Sequence, residues 1–386
     1  MASFPTHAQY TIEGYVLDAA TRQPVPFAHL YLSTEQRGTV SNEEGGFLLA
    51  SNTPATEVVV SHVGYETQKL LPSADSIVYI LLHPQADVLP EVTVTSESAS
   101  SIVQKAIGMA KAYSSLYFAK GFYRQTTQYD STLTQMHEVF YDLALSTQGI
   151  QQYGMEHARY AELPSHRKET TYKNFSYLTL GFKTYKHKQE IRPDNIIHPI
   201  IPEVDEYYQI SVAGYTKLDS GTLIQIVFKS KLKDSSLPIQ EGSVFINVDT
   251  YDIVRLLTSA HHSLTENISK TSDNHVCRWD ISFDQTDSIP VLRYINTVFT
   301  YDKKVRRKKR SVAVNSLLTI YDLQNHVEIN QLKPVSIKTY DMDEILKVDY
   351  DASFWKDNPI IKRTPAEEKI TNTLEAEGAF KHYQNN

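Results

Sequence analysis

The sequence predicts a mainly β protein: a small β-sandwich followed by a large curved antiparallel sheet packed on one helix. Three observations carry this expectation. Short alternating apolar and polar runs, separated by Gly, Pro and Asn turns roughly every 8–12 residues, fill the first part of the chain. One stretch near 101–117 has apolar residues on a single helical face. After it, extended segments follow one another with short links, the pattern of an antiparallel meander. The 25 tyrosines, against 2 tryptophans, suit strands and half-wet sheet faces.

The first strand is 10–18, where Ile12, Gly14, Val16 and Asp18 share one face and Thr11, Glu13, Tyr15 and Leu17 the other. Pro24 and Pro26 punctuate it, and 27–32 is the next strand. A turn at 39–46 carries Gly45 and Gly46, which supply backbone angles that other residues resist. Extended runs at 47–50, 58–61 and 77–82 complete the module. Residues 10–96 are expected to form this first domain and 97–386 the second. Residues 1–9 are expected to be disordered or the remnant of a trimmed leader, with Thr6 and Ala8 fitting a small-x-small cleavage site before Gln9.

In the second domain, Ser101 and Gln104 read as a capping box, and Val103, Ala106, Ile107, Ala110, Tyr113 and Tyr117 as the stripe of a helix. Strands are expected at 122–128, 133–145, 207–218, 223–232, 243–248, 253–260, 276–283, 291–301, 312–321 and 335–340. The polar stretch 154–204 reads as a surface excursion. Thr364-Pro365-Ala366-Glu367 is a second capping box, with Gly378 a plausible stop for its helix. The first helix is expected to lie in the sheet's concavity, against residues such as Phe245 or Val254, with a second element or a residual cavity completing the filling.

The first module resembles the carboxypeptidase D regulatory-like domain. The residues are Gly14-x-Val16-x-Asp18-x-x-Thr21-x-x-Pro24-Val25-Pro26-Phe27-Ala28-x-Leu30, then Gly38-Thr39-x-Ser41-Asn42-x-x-Gly45-x-Phe47, then Ser61-x-Val63-Gly64-Tyr65. Leu89-Pro90-Glu91-Val92-Thr93-Val94 resembles the closing strand of Bacteroidetes surface proteins. The resemblance implies a seven-stranded transthyretin-like sandwich, exported from the cytoplasm, with no catalytic residues and no peptidase activity. The second domain is similar to uncharacterised Bacteroidetes proteins at Phe122-Tyr123-Arg124, Glu138, Gly242 to Asp249, Ile253-Val254-Arg255 and Phe354-Trp355-x-x-Asn358-Pro359-Ile360. Its strand–Asp249-Thr250-x-x-Ile253-Val254-Arg255 element also resembles that of periplasmic lipoprotein carriers, which curl one sheet around a helix. Larger relatives continue into a membrane barrel; this chain is expected to be soluble.

Composition narrows the chemistry. The net charge of −7 gives no global attraction to nucleic acid or anionic membrane. No run approaches the roughly 18 apolar residues of a membrane helix. A single cysteine, Cys277, excludes an internal disulfide and reads as a packed thiol rather than a nucleophile. His187 and Glu190 form an H-x-x-E pair without a third ligand, and the adjacent His261 and His262 point opposite ways on a strand. Asp341, Asp343 and Glu344 fail the calcium-loop test, because Leu346 and Ala352 stand where glycine and glutamate are needed. No metal or cofactor is expected. The one dense charge run, Lys303, Lys304, Arg306, Arg307, Lys308, Lys309 and Arg310, reads as a hairpin tip, either simply solvated or contacting an anionic glycolipid or an acidic envelope partner. The expectation is a non-catalytic extracytoplasmic envelope protein with a binding or scaffolding role. A periplasmic carrier of an apolar ligand and an enzyme with an unrecognised site are the alternatives.

Overall fold

The computed structural model describes residues 10–53, 57–72, 77–85, 97–113, 115–166, 175–186, 198–218, 221–232, 239–261, 272–286, 289–305, 308–324, 332–335 and 342–381.

Seven strands build the N-terminal sandwich: β1 (Tyr10–Asp18), β2 (His29–Leu32), β3 (Arg37–Val40), β4 (Gly46–Ser51), β5 (Val58–Ser61), β6 (Gln68–Leu70) and β7 (Ile77–Leu82). One sheet has the order β4-β1-β7, and the other β3-β2-β5-β6. Ile12, Val16, Leu30, Phe47, Val60 and Leu82 are buried between them, on the faces that alternation assigns. The motif residues have local work to do. Asp18 accepts backbone N–H bonds from Ala20 (2.8 Å) and Thr21 (2.7 Å), closing the turn after β1, and accepts the Tyr65 hydroxyl at 2.9 Å. Ser41 accepts from the Ala28 N–H and donates to the Val25 carbonyl, while Asn42 accepts from the Glu44 and Gly46 N–H groups. Gly45 has φ +72°, and a Cβ there would lie 2.4 Å from the Val16 carbonyl oxygen, so no other residue fits without a shift.

The second sheet contains β8 (Tyr117–Tyr129), β9 (Thr132–Ser146), β10 (Gly149–Glu162), β11 (Tyr208–Leu218), β12 (Gly221–Ser230), β13 (Gln240–Asn247), β14 (Ile253–His261), β15 (Ser272–Thr286), β16 (Ile289–Val305), β17 (Lys308–Gln324) and β18 (Lys333–Pro334). Its order is β11-β12-β13-β14-β15-β16-β17-β8-β9-β10-β18, antiparallel throughout, and it curls into a half-barrel. A single ladder pair, Asp322 with Arg37, joins it to the sandwich.

One expectation about the strands needs correction. Residues 149–162, largely assigned to a surface excursion, are the full-length strand β10. Bulges between Ile150 and Gln152 and between Met155 and His157 interrupt its alternation, which hid it from a period-two reading. A short strand, β18, stands at Lys333–Pro334; the expected strand at 335–340 lies, but for Val335, outside the described residues.

Helix α1 (Ala99–Ala112) lies against the concave wall as expected, with Ile102, Val103, Ala106, Ile107 and Ala110 in one core with the sheet. Its N-cap is Ser98 rather than Ser101: the Ser98 hydroxyl accepts the Ser101 N–H, placing Ser101 one turn inside. It also ends earlier, at a Tyr113 C-cap, because Tyr117 already begins β8. The Thr147 hydroxyl holds the helix end, donating to the Ala110 carbonyl at 2.6 Å. The expected partners Phe245 and Val254 are only half-buried. Val244, Ile246, Ile253 and Leu256 enter the core instead, an error of one residue in strand parity.

A second element does complete the concavity. Helix α2 (Ser176–Leu180) and its flanks contribute Phe175, Leu178, Leu180 and Phe182, and the approach to β11 contributes Ile200, Ile201 and Val204. On the convex side, α5 (Ala352–Asp357) and α6 (Pro365–Ala376) cover β8–β10; α4 (Met342–Ile345) and α3 (Val204–Tyr207) are single turns. The Thr364–Glu367 capping box is formed at the start of α6, and Gly378 follows its end.

Candidate functional site

The two units meet along a cleft of about 340 Å³, and two β-bulges shape its floor. In the β13–β14 ladder Phe245 pairs with Arg255 and Ile246 with Ile253, leaving Val254 extra. In the β15–β16 ladder Ser282 pairs with Tyr294 and Phe283 with Leu292, leaving Arg293 extra. A regular strand sends consecutive side chains to opposite faces, whereas a bulge re-aims them. Arg293 and Tyr294, adjacent in sequence, therefore both line the cleft, as do Val254 and Arg255. The sandwich supplies the facing wall through Phe27, His29, His62 and Tyr65. The Phe27 and Tyr294 rings close one end, 5.6 Å apart.

Two cations from the curled sheet have different states. Arg255 makes a two-pronged pair with Asp280, Nε to Oδ1 at 2.9 Å and Nη2 to Oδ2 at 2.7 Å, and the Tyr294 hydroxyl donates to the same carboxylate. Burial works against the guanidinium charge, but Asp280 more than offsets it, so Arg255 stays charged and locally neutralised. Arg293 is 3% exposed, lies over the Tyr31 ring at 5.3 Å, and holds Nη2 3.7 Å from Asp284 Oδ2. That same oxygen is 3.6 Å from His29 Nδ1.

Both cleft histidines are neutral at pH 7. Burial first, then the field of Arg293, pushes His29 well below 6.5; burial first, then Arg255, pushes His62 down to about 4. His29 is 7% exposed with Nε2 buried and without a hydrogen-bond partner, and His62 Nδ1 is in the same condition. Neutral imidazoles of this kind are weak proton acceptors near neutrality; what they offer a ligand is hydrogen bonding.

A second cavity, of about 460 Å³, lies between β3–β4 and β8–β10. Of the charged groups that line it, Lys120 reaches Glu156 at 2.6 Å and also Asp142 at 3.2 Å.

The residues singled out from sequence are dispersed. The basic run does sit at the end of the β16–β17 hairpin, with Arg306 and Arg307 outside the described residues. It is not a continuous free patch. Lys303 is buried, Lys309 pairs with Asp302 at 3.0 Å and Asp273 at 3.6 Å, and Arg310 pairs with Asp130 at 2.5 Å, while Lys304 and Lys308 are exposed. His187, Glu190, His262 and Asp341 lie outside the described residues. Glu344 is engaged with Lys333 at 2.9 Å. Cys277 is fully buried, and burial pushes its thiol well above the ordinary value. Among the described residues no three His, Cys, Asp or Glu side chains gather as a metal site, and no helix is long and apolar enough to cross a membrane.

Sequence reasoning missed the cleft because its residues come from β2, β5, β6 and the turn at 62–67 in the sandwich and from five later strands, β11, β13, β14, β15 and β16. One trace was available. Leu292 and Ile295 are three apart and both face the core, which strict alternation forbids and a bulge at Arg293 allows.

Residues 12–94 match the model of the CarboxypepD_reg-like domain. No curated protein matches the chain. Similar solved structures include a LolA superfamily protein from Nitrosomonas europaea, 11% identical, covering 60% of this chain and 96% of its own, with a TM-score of 0.19. A putative outer membrane lipoprotein-sorting protein domain from Vibrio parahaemolyticus is 10% identical and covers 60% of this chain and 94% of its own, with a TM-score of 0.22. A putative membrane-associated protein of unknown function from Bacteroides fragilis is 10% identical and covers 82% of this chain and 99% of its own, with a TM-score of 0.16. Likeness of that degree carries nothing about what this chain binds.

Proposed function

We propose that this chain is a non-catalytic binding protein acting outside the cytoplasm, and that its ligand occupies the cleft between the sandwich and the curled sheet. The carrying observation is the pair of bulges that turn Val254, Arg255, Arg293 and Tyr294 toward one cavity whose other wall is the sandwich. In this reading the sandwich is half of the binding site, not merely an accessory. The export assignment is supported by the regulatory-like domain at 12–94. The test is native mass spectrometry of the full chain isolated without denaturant from envelope fractions of the cells that make it. The parent is expected to carry a non-covalently bound small molecule, and a Ser282→Trp variant, which fills the cleft, to lose it. A bound molecule retained by Ser282→Trp would place the seat elsewhere.

A second reading, carriage of an apolar ligand inside the half-barrel, is favoured by the breadth of the apolar concave wall. It requires α1 or residues 175–186 and 198–208 to move aside, since side chains of these segments fill that space. Strong fluorescence of 1-anilinonaphthalene-8-sulfonate with Ser282→Trp as well as the parent would favour it.

A further inference from the structure

We propose that the cavity between β3–β4 and β8–β10 is a second binding site, and that it takes a neutral saccharide of about disaccharide size. It shares no lining residue with the cleft at Arg293, so it does not depend on a ligand occupying that cleft.

Two further bulges shape this cavity. In the β9–β10 ladder Tyr141 pairs with Met155 and Phe140 with His157, leaving Glu156 extra. In the β8–β17 ladder Gly121 pairs with Ile320 and Lys120 with Asp322, leaving Tyr321 extra. Neighbours that alternation would send to opposite faces, Glu156 with His157 and Tyr321 with Asp322, therefore both line the cavity. Bulges on two strands separated by β8 and β9 thus converge on one space. The sandwich closes it through Arg37 and Ala50, and the C-terminal segment through Phe354 and Asn358.

The charges in this lining are balanced. Arg37 and Lys120 face Glu156 and Asp322; Lys120 holds Glu156 at 2.6 Å, and Arg37 is the ladder partner of Asp322. His157 is neutral at pH 7, because burial above all lowers its pKa below 6.5. An ion finds no unopposed charge here, and a wholly apolar ligand would bury these groups without bonding them.

Neutral hydrogen-bonding groups beside aromatic rings are what the cavity offers. Burial, then the carboxylates of Glu156, Asp322 and Asp142, pushes the Tyr321 pKa well above 10, so its hydroxyl keeps its proton. Neither that hydroxyl nor the His157 ring nitrogens make a hydrogen bond among the described residues. Asn52 accepts from Arg37 through Oδ1 at 3.2 Å, which leaves its NH2 to donate. Asn358 donates to the Phe354 carbonyl through Nδ2 at 2.9 Å, which leaves its oxygen to accept. The buried Phe140 ring stands edge-to-face with the half-buried rings of Tyr321 (6.0 Å) and Phe354 (5.1 Å). A sugar matches both features: each hydroxyl donates and accepts, and the C–H face of the ring packs on aromatic surface. The volume of about 460 Å³ lies within the usual range for small-molecule sites.

The test is calorimetric titration of the full chain with maltose, cellobiose, lactose, xylobiose and N,N′-diacetylchitobiose. Two charged relatives, the cationic chitobiose and the anionic sialyllactose, are titrated beside them. At least one neutral disaccharide should bind, and neither charged sugar should bind more tightly than its neutral counterpart. Tyr321→Phe, which removes only the hydroxyl, should weaken the best binder at least about fivefold. Ala50→Trp, which fills the cavity, should abolish binding, whereas Ser282→Trp, which fills the other cleft, should leave it unchanged. Circular dichroism and the melting temperature of each variant separate loss of binding from loss of fold. Binding of no neutral disaccharide, tighter binding of a charged relative, or parent-like binding by a folded Ala50→Trp or Tyr321→Phe chain would overturn the inference. A disaccharide lost in Ser282→Trp but kept in Ala50→Trp would sit in the cleft at Arg293, and the second site would fall while the first stood.

Discussion

Glu138 and Arg159 are direct cross-strand partners on β9 and β10, and the fully buried carboxylate of Glu138 accepts from Arg159 Nε at 2.8 Å. On its other side Glu138 is the register partner of Arg124 on β8, whose Nε donates to Oε1 at 2.7 Å. One row across three strands thus reads cation, anion, cation, on the convex face opposite the core. Arg363 approaches the same carboxylate at 3.6 Å. The excess positive charge is met from α6: Glu375 takes Arg159 at 2.8 Å and Glu367 stands 3.6 Å from Arg124. The same C-terminal segment reaches the sandwich, where Thr39 donates to the Ile360 carbonyl, Asn42 to the Lys362 carbonyl, and Lys362 pairs with Glu13. The segment is a strap from the sheet's convex face to the first domain.

Glu138→Gln should destabilise the protein by about 3–5 kcal/mol, because it leaves buried guanidinium groups without their central counter-charge. Burial alone would raise the Glu138 pKa, but Arg159, Arg124 and Arg363 together hold it well below the ordinary 4.5. Its contribution is therefore present above pH 4.5 and is lost as pH falls below it. Urea unfolding at pH 7 and pH 4 checks both statements. A loss under about 1 kcal/mol at pH 7 would mean that Glu367 and Glu375 can take over the arginines.

Substitution at His137 should have the opposite effect on stability. It is 1% exposed, neither ring nitrogen has a hydrogen-bond partner, and burial pushes its pKa down to about 3. His137→Phe removes two unsatisfied polar atoms at similar volume and should stabilise by about 1–2 kcal/mol. In the parent the folded state resists a proton that the unfolded chain accepts at 6.5, so stability is full above pH 6.5 and declines continuously from there toward pH 3. The Phe variant should show a shallower decline in its melting temperature over that interval. An equal slope in both chains would assign the acid sensitivity to other groups, such as His198.

Ile107→Asp should be severely destabilising, by several kcal/mol. Ile107 is 3% exposed in the core shared by α1 and the half-barrel, and an unpaired carboxylate there has no counter-charge in that apolar core. A thermal melt matching the parent would show that α1 can leave the concavity at little cost, as the carrier reading requires.

Residues 9–96 expressed alone should fold cooperatively, because the sandwich has its own closed core. The isolated domain should nonetheless melt below the full chain, since it loses the bonds to Ile360 and Lys362 and the Phe27–Tyr294 contact. Calorimetry on both proteins decides this, and a molten product would mean that the strap is required for folding.

At the hairpin end, replacing Lys304, Arg306, Arg307 and Lys308 with serine should leave the melting temperature unchanged. Any affinity of the parent for anionic phospholipid vesicles should weaken with salt and disappear in that variant. Replacing Lys309 and Arg310 should matter less for vesicles, as Asp302, Asp273 and Asp130 already engage them. Salt-independent binding would refute an electrostatic role.

The sequence by itself determined the mainly β class, the extended runs 10–18, 27–32, 47–50, 58–61 and 77–82 of the first domain, the existence of α1, the capped helix at Thr364 and the hairpin bearing the basic run. Each is encoded within a window of some ten to twenty residues, through alternation, a helical stripe, a cap or a turn, and local encoding is what a linear reading detects. The tertiary structure alone decided the rest. It showed β10 through its bulges, moved the α1 contacts from Phe245 and Val254 to the neighbouring parity, and drew the basic run partly into ion pairs. It also brought His29 to one cleft with Arg255 and Arg293, both more than two hundred residues further along the chain. Register and bulges depend on the partner strand, and a single extra residue reverses every side chain beyond it. The direction in which Arg293 points is therefore a property of the assembled sheet, not of its own strand.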